Sequence, residues 1–514
     1  MIDACVSRPA RFRPILLTVL GLTLLVLVWA GLEVYYAYSA RPNPKVDYAP
    51  MLNAHAASVQ GDGPDRWDDF VDVLESHQDI SAVFIGEGGE YDRTVLQHWP
   101  HGPWLDPEPF LVDPKSDDFA EYLEDSQTNG VDAELVEKQM LQASKLYRGW
   151  LKDTFDLELW ESIRGLRDTM RALPDYSQAD SDGVLYFEET ISSRSLNRTL
   201  LARMFLAKID GDFVRFGQIF DAQMAVGWFI GVQPTLIHRL VSVSIQGWPM
   251  AEMARSADEG VLPDHVLRQA LGSLERWRLP KRMYTIEGER FVVLDSLQKI
   301  YDQRGRRILG GKFAEPSIDF LDLTSEVPGA LSNTRSLFLP RHSTMEHSVE
   351  EFFEELRLYA DRPDWEQIEH FGIPSFAQMI TGMESNDLSG SFGTIASMSH
   401  YVMMQMKEDG CRIAIGLALY RNTYGNLPDT LDKLVPSYLD SVPVDPLSRT
   451  GEPYVYRPEP WTRADGEPGG EYILYSVGFD GVDNGGLAPE GQMSGALSNE
   501  AEDVDYILND PIWR

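Results

Sequence analysis

Five short segments decide the fold of the C-terminal part of the chain. They are Cys411-Arg-Ile-Ala-Ile-Gly-Leu-Ala-Leu-Tyr420, Tyr424-Gly-Asn-Leu-Pro428, Asp445-Pro446, Glu471-Tyr-Ile-Leu-Tyr-Ser-Val-Gly478 and Asp480-Gly-Val-Asp-Asn-Gly-Gly486. Apolar residues at Ile395, Met398, Val402, Met406, Ile413, Leu417 and Tyr420 fall near one face of a long helix. Gly410 interrupts that helix, at a cost of about 1 kcal/mol relative to alanine. Gly425 supplies a left-handed cap and Pro428 lies just beyond it. Asp429 to Val435 reads as a short second helix closed by Pro436. Two antiparallel strands are expected at Pro453 to Arg457 and Glu471 to Val477, joined by a polar loop from Thr462 to Gly470.

Upstream of this module the helical pattern is broader. From Val131 to about Gln298 apolar residues recur three and four apart, as in Leu200, Met204 and Phe205, then Phe213, Phe216 and Phe220. Asp210-Gly211-Asp212, Pro234, Pro249, Pro263 and Pro280 punctuate it, which predicts antiparallel helices joined by short turns. Leu200 to Pro234 resembles one tetratricopeptide-like helical pair, without a second copy at the period of about 34 residues. Trp228, Phe229, Trp248 and Trp277 are expected in the core, and His238 is expected to be a satisfied core histidine. Tyr284 to Leu294 alternates enough to predict a strand or hairpin arm, with Glu287-Gly288 as a turn. Nearer the start, Trp67 to Ser76 reads as a short amphipathic helix and Ser81 to Ile85 as a strand. The Gly86-Glu-Gly-Gly-Glu90 cluster lacks the spacing and the lysine of a phosphate cradle and reads as a turn.

The amino terminus carries a different signal. Ile15 to Leu32 is apolar apart from threonine and glycine, with Trp29, Tyr35, Tyr36 and Tyr38 at its far end. That run is long enough to span a hydrocarbon core of about 30 Å. Arg8, Arg11 and Arg13 precede it, so the positive-inside rule orients the N-terminus to the cytoplasm. The expected localisation is the inner membrane, single-pass, with the bulk of the chain periplasmic. An uncleaved anchor is preferred to a signal peptide because the run is long and ends in an aromatic belt, although Ala37, Ser39 and Ala40 offer small residues for cleavage. The expected layout is a cytoplasmic tail over 1–14, a transmembrane anchor over 15–38 and a mixed linker and helical region over 39–130. A helical domain over 131–390 and an α+β module over 391–514 follow.

The formal charge of -35 over 514 residues repels phosphate backbones, and no basic patch offsets it, so nucleic acid is not an expected partner. Such acidity suits solubility, adaptation to salt, or hard cations. Cys5 and Cys411 are the only cysteines and lie on opposite sides of the apolar run, which excludes an intrachain disulfide framework or a zinc cluster of thiolates. His342, Glu346 and His347 invite comparison with zinc peptidases, with Glu350 and Glu351 following. A spacing of five rotates the two histidines by about 140° around a helix, so they do not face one ion. No nucleophile elbow or P-loop occurs in the sequence, and no enzymatic activity is expected. A rival reading, an envelope hydrolase with its site in the helical middle domain, needs His342, Glu346, His347 or His370 to converge.

The ordered set Tyr420, Gly425, Pro428, Leu431, Leu434, Asp445, Pro446, Pro453, Tyr454, Tyr456, Tyr475, Ser476, Gly478, Asp480 and Gly481 resembles the globular head of the major pseudopilin of type II secretion. The likeness covers about the last quarter of the chain. The amino-terminal methylation motif of a pseudopilin is absent, so the chain is not itself a processed pilin subunit. The layout is also similar to large bacterial envelope proteins with an anchor, a helical middle and such a tail. The resemblance implies a long helix packed on a small antiparallel sheet, and calcium in the loop after the last long strand. Asp480, Asp483 and Asn484, with Asp503 and Asp505 returning from the tail, supply the oxygen ligands that calcium takes. The expected role is binding or assembly with an envelope partner, linked to type II secretion, rather than catalysis.

Overall fold

The computed structural model describes residues 44–85, 187–280, 282–299, 341–360, 392–463, 468–478, 480–486 and 505–509, with shorter pieces between them such as 162–166 and 170–176. These residues are mostly helical, with a small antiparallel sheet near the C-terminus. The helices are α1 (Ala49–Ala57), α2 (Trp67–Ile85), α3 (Phe187–Ile209), α4 (Phe213–Gly231), α5 (Leu236–Asp258), α6 (Asp264–Arg276), α7 (Arg282–Lys299), α8 (His342–Ala360) and α9 (Phe392–Tyr424). The strands are β1 (Val455–Arg457), β2 (Trp461–Thr462), β3 (Pro468–Gly470), β4 (Ile473–Ser476) and β5 (Tyr506–Ile507). The predicted anchor lies outside the described residues except at Val28, Leu32 and Tyr35. Among the described residues no helix is long and apolar enough to cross a membrane.

The helical pair read from Leu200 to Pro234 is α3 and α4, packed on each other across the Asp210–Asp212 turn. The Asp212 side chain caps α4 by accepting from the Arg215 N–H at 3.1 Å. Helix α4 is buried over almost its whole length, including the polar Asp221 and Gln223. Phe216, Phe220, Trp228 and Phe229 fill the bundle core with Trp277 beneath them. Where α4 meets α5 the contact is polar and close: Ser242 donates to the Gly227 carbonyl at 2.7 Å, and Gln246 donates to the Met224 carbonyl at 2.9 Å.

Helix α9 joins the two halves of the fold. One face carries Met404, Cys411, Ile415, Ala418 and Leu419 into the bundle core, against α5 and α6. The other carries Val402, Met403, Met406, Ile413 and Leu417 under the sheet, with Leu431, Leu434, Tyr454, Tyr472 and Leu474. Gly410 does not break the helix. It sits where a Cβ would come within 3.3 Å of the Leu508 side chain, so the small residue serves the approach of the tail. The helix ends at Gly425, which takes a φ of 79° and returns its N–H to the Arg421 carbonyl at 2.7 Å. In the sheet, ordered β1-β4-β5, Val455 pairs with Tyr475 and Tyr475 with Ile507.

Several expectations are corrected. Tyr284 to Leu294 is part of helix α7, not a strand. Its β-branched and aromatic residues favour a strand locally, but Val293, Leu294 and Leu297 pack at helical spacing against Met345, Val349 and Phe353 of α8, and that burial outweighs propensity. Ser81 to Ile85 ends helix α2 rather than forming a strand. Asp429 to Val435 forms only one 3-10 turn, Leu431–Leu434, which suffices to bury both leucines. The loop from Thr462 to Gly470 begins and ends in the small β2–β3 ladder. Trp228, Phe229 and Trp277 are buried, whereas Trp248 is 50% exposed.

Candidate functional site

The acidic loop after β4 is built on the sheet edge and fastened from three directions. Asp480 accepts from the Val482 N–H at 3.0 Å on one oxygen and from Asn484 Nδ2 at 3.0 Å on the other. Asp483 accepts from the Tyr475 hydroxyl at 2.7 Å and the Gly485 N–H at 2.9 Å. Asp505, immediately before β5, accepts from the N–H groups of Asn484 at 3.3 Å and Gly486 at 2.7 Å. The tail thus returns to the loop through Asp505. Asp503 lies outside the described residues.

Two further residues complete this arrangement. Asp445 is buried behind the loop and accepts from Ser476 Oγ at 2.8 Å, the Val477 N–H at 2.9 Å and the Leu447 N–H at 3.0 Å. Burial lifts its carboxyl above the ordinary range, against the pull of those three bonds. Arg457 of β1 donates to the Tyr475 hydroxyl at 2.6 Å and to the Gly485 carbonyl at 3.3 Å. Its guanidinium stands 3.5 Å from Asp483. Burial pushes Asp483 up, but the Tyr475 hydroxyl, the Gly485 N–H and Arg457 together hold it below the usual carboxylate range. In the sequence Asp445 stands out only as half of an Asp-Pro pair and as a member of the ordered set that carries the resemblance, and nothing in the local pattern marks Arg457.

The donor set is all oxygen, the chemistry of a hard cation. Asp480 accepts one hydrogen bond on each oxygen, from Val482 and from Asn484, which leaves lone pairs for a cation. Among the described residues no group of three or more His, Cys, Asp or Glu side chains is placed to hold a metal ion. The loop is already held by its own N–H groups and by Arg457, so a cation would add to an existing fold rather than create it.

The histidines of the rival reading stand in separate surface pairs on α8. His342 Nδ1 lies 3.6 Å from Glu346, and His347, 74% exposed, lies 3.3 Å from Glu351. His370 lies outside the described residues. Cys411 is buried in the bundle core, where burial pushes its thiol up and away from nucleophilic use. His238 is fully buried and neutral, its pKa lowered to about 4 by desolvation. Its Nδ1 meets the Thr235 hydroxyl at 2.5 Å, while Nε2 has no hydrogen-bond partner among the described residues, so it is only half satisfied there. No family model matches this chain, and neither the curated proteins nor the solved structures contain a significant match to it.

Proposed function

We propose that this chain is a non-enzymatic, single-pass envelope protein whose outer part presents a pseudopilin-like module on a helical scaffold, acting in binding or assembly, in kinship with type II secretion. The observation that supports this most is α9, which buries one face in the bundle and the other under the β1-β4-β5 sheet. Calcium is the proposed ligand of the loop. Asp480, Asp483, Asn484 and Asp505 would hold it, with Asp503 available from the tail, and it would stiffen a loop that has few apolar residues of its own.

The test is thermal unfolding of the full chain in detergent, with calcium or with a chelator. Calcium should raise the melting temperature, by the equivalent of about 2.7 kcal/mol at a hundredfold excess over Kd. The double substitution Asp480→Asn, Asp483→Asn should lose the response. An identical melt in calcium and in chelator removes the metal from this reading. Cross-linking in intact membranes addresses the assembly role: capture of a secretion-machine component supports it, and recovery of the chain alone counts against it.

A further inference from the structure

A cavity of about 590 Å³ opens between α5, the segment linking α6 to α7, the end of α8 and the first half of α9. Leu279, Pro280, Ala360 and Met404 give it an apolar wall. Its polar residues include Arg239, Tyr401, Gln405 and Asp409. Arg239 is the unusual member. It is 6% exposed, and its Nη2 donates to the Pro280 carbonyl at 2.8 Å. Its Nε and Nη1 are buried and have no hydrogen-bond partner among the described residues. The guanidinium lies 4.7 Å from the centre of the Tyr401 ring, which offsets part of the cost of burying it. Burial disfavours its charge, opposed by Tyr401, Glu408 and Tyr284, yet an arginine keeps its proton in a protein.

A buried cation that lines an open cavity while two of its N–H groups go unspent calls for an acceptor that carries negative charge. Glu408 does not serve, because Arg278 and Arg412 hold it at 3.1 and 2.9 Å. Asp364 and Asp409 also line the cavity, so a dianion entering it meets more repulsion than a monoanion. The apolar wall suits a short hydrocarbon tail, and the volume falls within the range of small-molecule sites. We propose that this cavity is a binding site for a small amphipathic monocarboxylate, whose carboxylate accepts from Arg239 and whose tail lies along Leu279, Pro280 and Met404.

Asp409 sets the pH dependence. It is faced by Glu408 and Arg412 on its own helix, by Arg278 from the α6–α7 segment and by the Tyr454 hydroxyl, which donates to it at 3.1 Å. When Asp409 ionises, it adds a negative charge to the cavity and weakens carboxylate binding.

The experiment is calorimetric titration of the full chain in detergent with hexanoate, with hexanamide and inorganic phosphate as comparators. Hexanoate should bind, and the other two should bind at least tenfold more weakly. Arg239→Gln should weaken hexanoate at least tenfold. Asp409→Asn, which keeps an acceptor for Tyr454, should tighten hexanoate severalfold at about pH 8 and flatten its pH dependence. Absence of hexanoate binding, equal binding of hexanamide, or phosphate binding as tightly as hexanoate overturns the proposal. So does unchanged affinity in folded Arg239→Gln. If that variant does not fold, unchanged affinity in Asp409→Asn at the same pH overturns it instead.

Discussion

Asp445 offers the sharpest test of how the C-terminal module is held together. Asp445 is 1% exposed, and its carboxylate takes three donors, from Ser476, Val477 and Leu447. Asp445→Ala strands all three. The Ser476 hydroxyl can rotate toward another acceptor, but the two backbone N–H groups cannot, and each buried orphan costs about 1–3 kcal/mol. Removing a carboxylate that burial already disfavours returns part of this. The net loss is about 3 kcal/mol by that reckoning. Asp445→Asn keeps a carbonyl for Ser476 and Leu447 but turns an amide N–H toward that of Val477, for a loss of about 2 kcal/mol. Urea unfolding of the full chain in detergent, followed by tyrosine fluorescence, measures both. Hydrogen exchange at the Val477 amide supplies a local readout if unfolding is not two-state. A change below about 0.5 kcal/mol in the alanine variant, with Val477 still protected, would refute the reasoning.

Two other outcomes follow from buried groups in the bundle. Gly288 of α7 sits so close to the connection before α5 that a Cβ would overlap the Pro234 carbonyl oxygen; Gly288→Ala should therefore cost about 3 kcal/mol in thermal or chemical unfolding, and a neutral effect would show that α7 is not packed there. Asp409 has its carboxyl raised from 3.8 to about 7, first by burial and then by Glu408, against Tyr454, Arg412 and Arg278. The folded chain therefore keeps a proton that the unfolded chain releases, so this group's contribution is full below its ordinary value and is lost as pH rises toward 7. At about 1.36 kcal/mol per unit the loss is up to about 4 kcal/mol, and Asp409→Asn should flatten stability across that window and exceed the parent at about pH 8. A parallel pH profile for parent and variant would contradict this.

What could be read in the sequence was what local chemistry decides. The stop at Gly425 depends on one glycine's freedom to take a left-handed conformation, and the pairing of Val455–Arg457 with Ile473–Ser476 depends on two short runs close in sequence. The return of Asp505 to the loop was expected on different ground, from the resemblance alone, and its bonds to the Asn484 and Gly486 N–H groups place it there. Helix α7 was misread because its partner is α8, and no local pattern reports the burial of Val293 and Leu297 against Val349. Arg457 and Arg239 were missed on the same ground. Tyr475 and Gly485 give the first its meaning, and Tyr401, which lies far along the chain, gives it to the second.

Helix α9 shows why the boundary of the module resists a reading by periodicity. The apolar positions Val402, Met406, Ile413 and Leu417 mark one stripe, and the stripe is real: it lies under the sheet. Met404, Cys411, Ile415 and Leu419 form a second stripe, which a single-face reading treats as filler, and it lies in the bundle core beside Trp277 and Val241. A helix with two buried faces belongs to both halves at once. Separating the last quarter of the chain from the bundle would expose the second stripe to water, at about 25 cal/mol for each Å² of apolar surface uncovered. The small sheet and the helical bundle are therefore coupled through one helix, and a ligand bound in the α5–α9 cavity would act on the same element that carries the sheet.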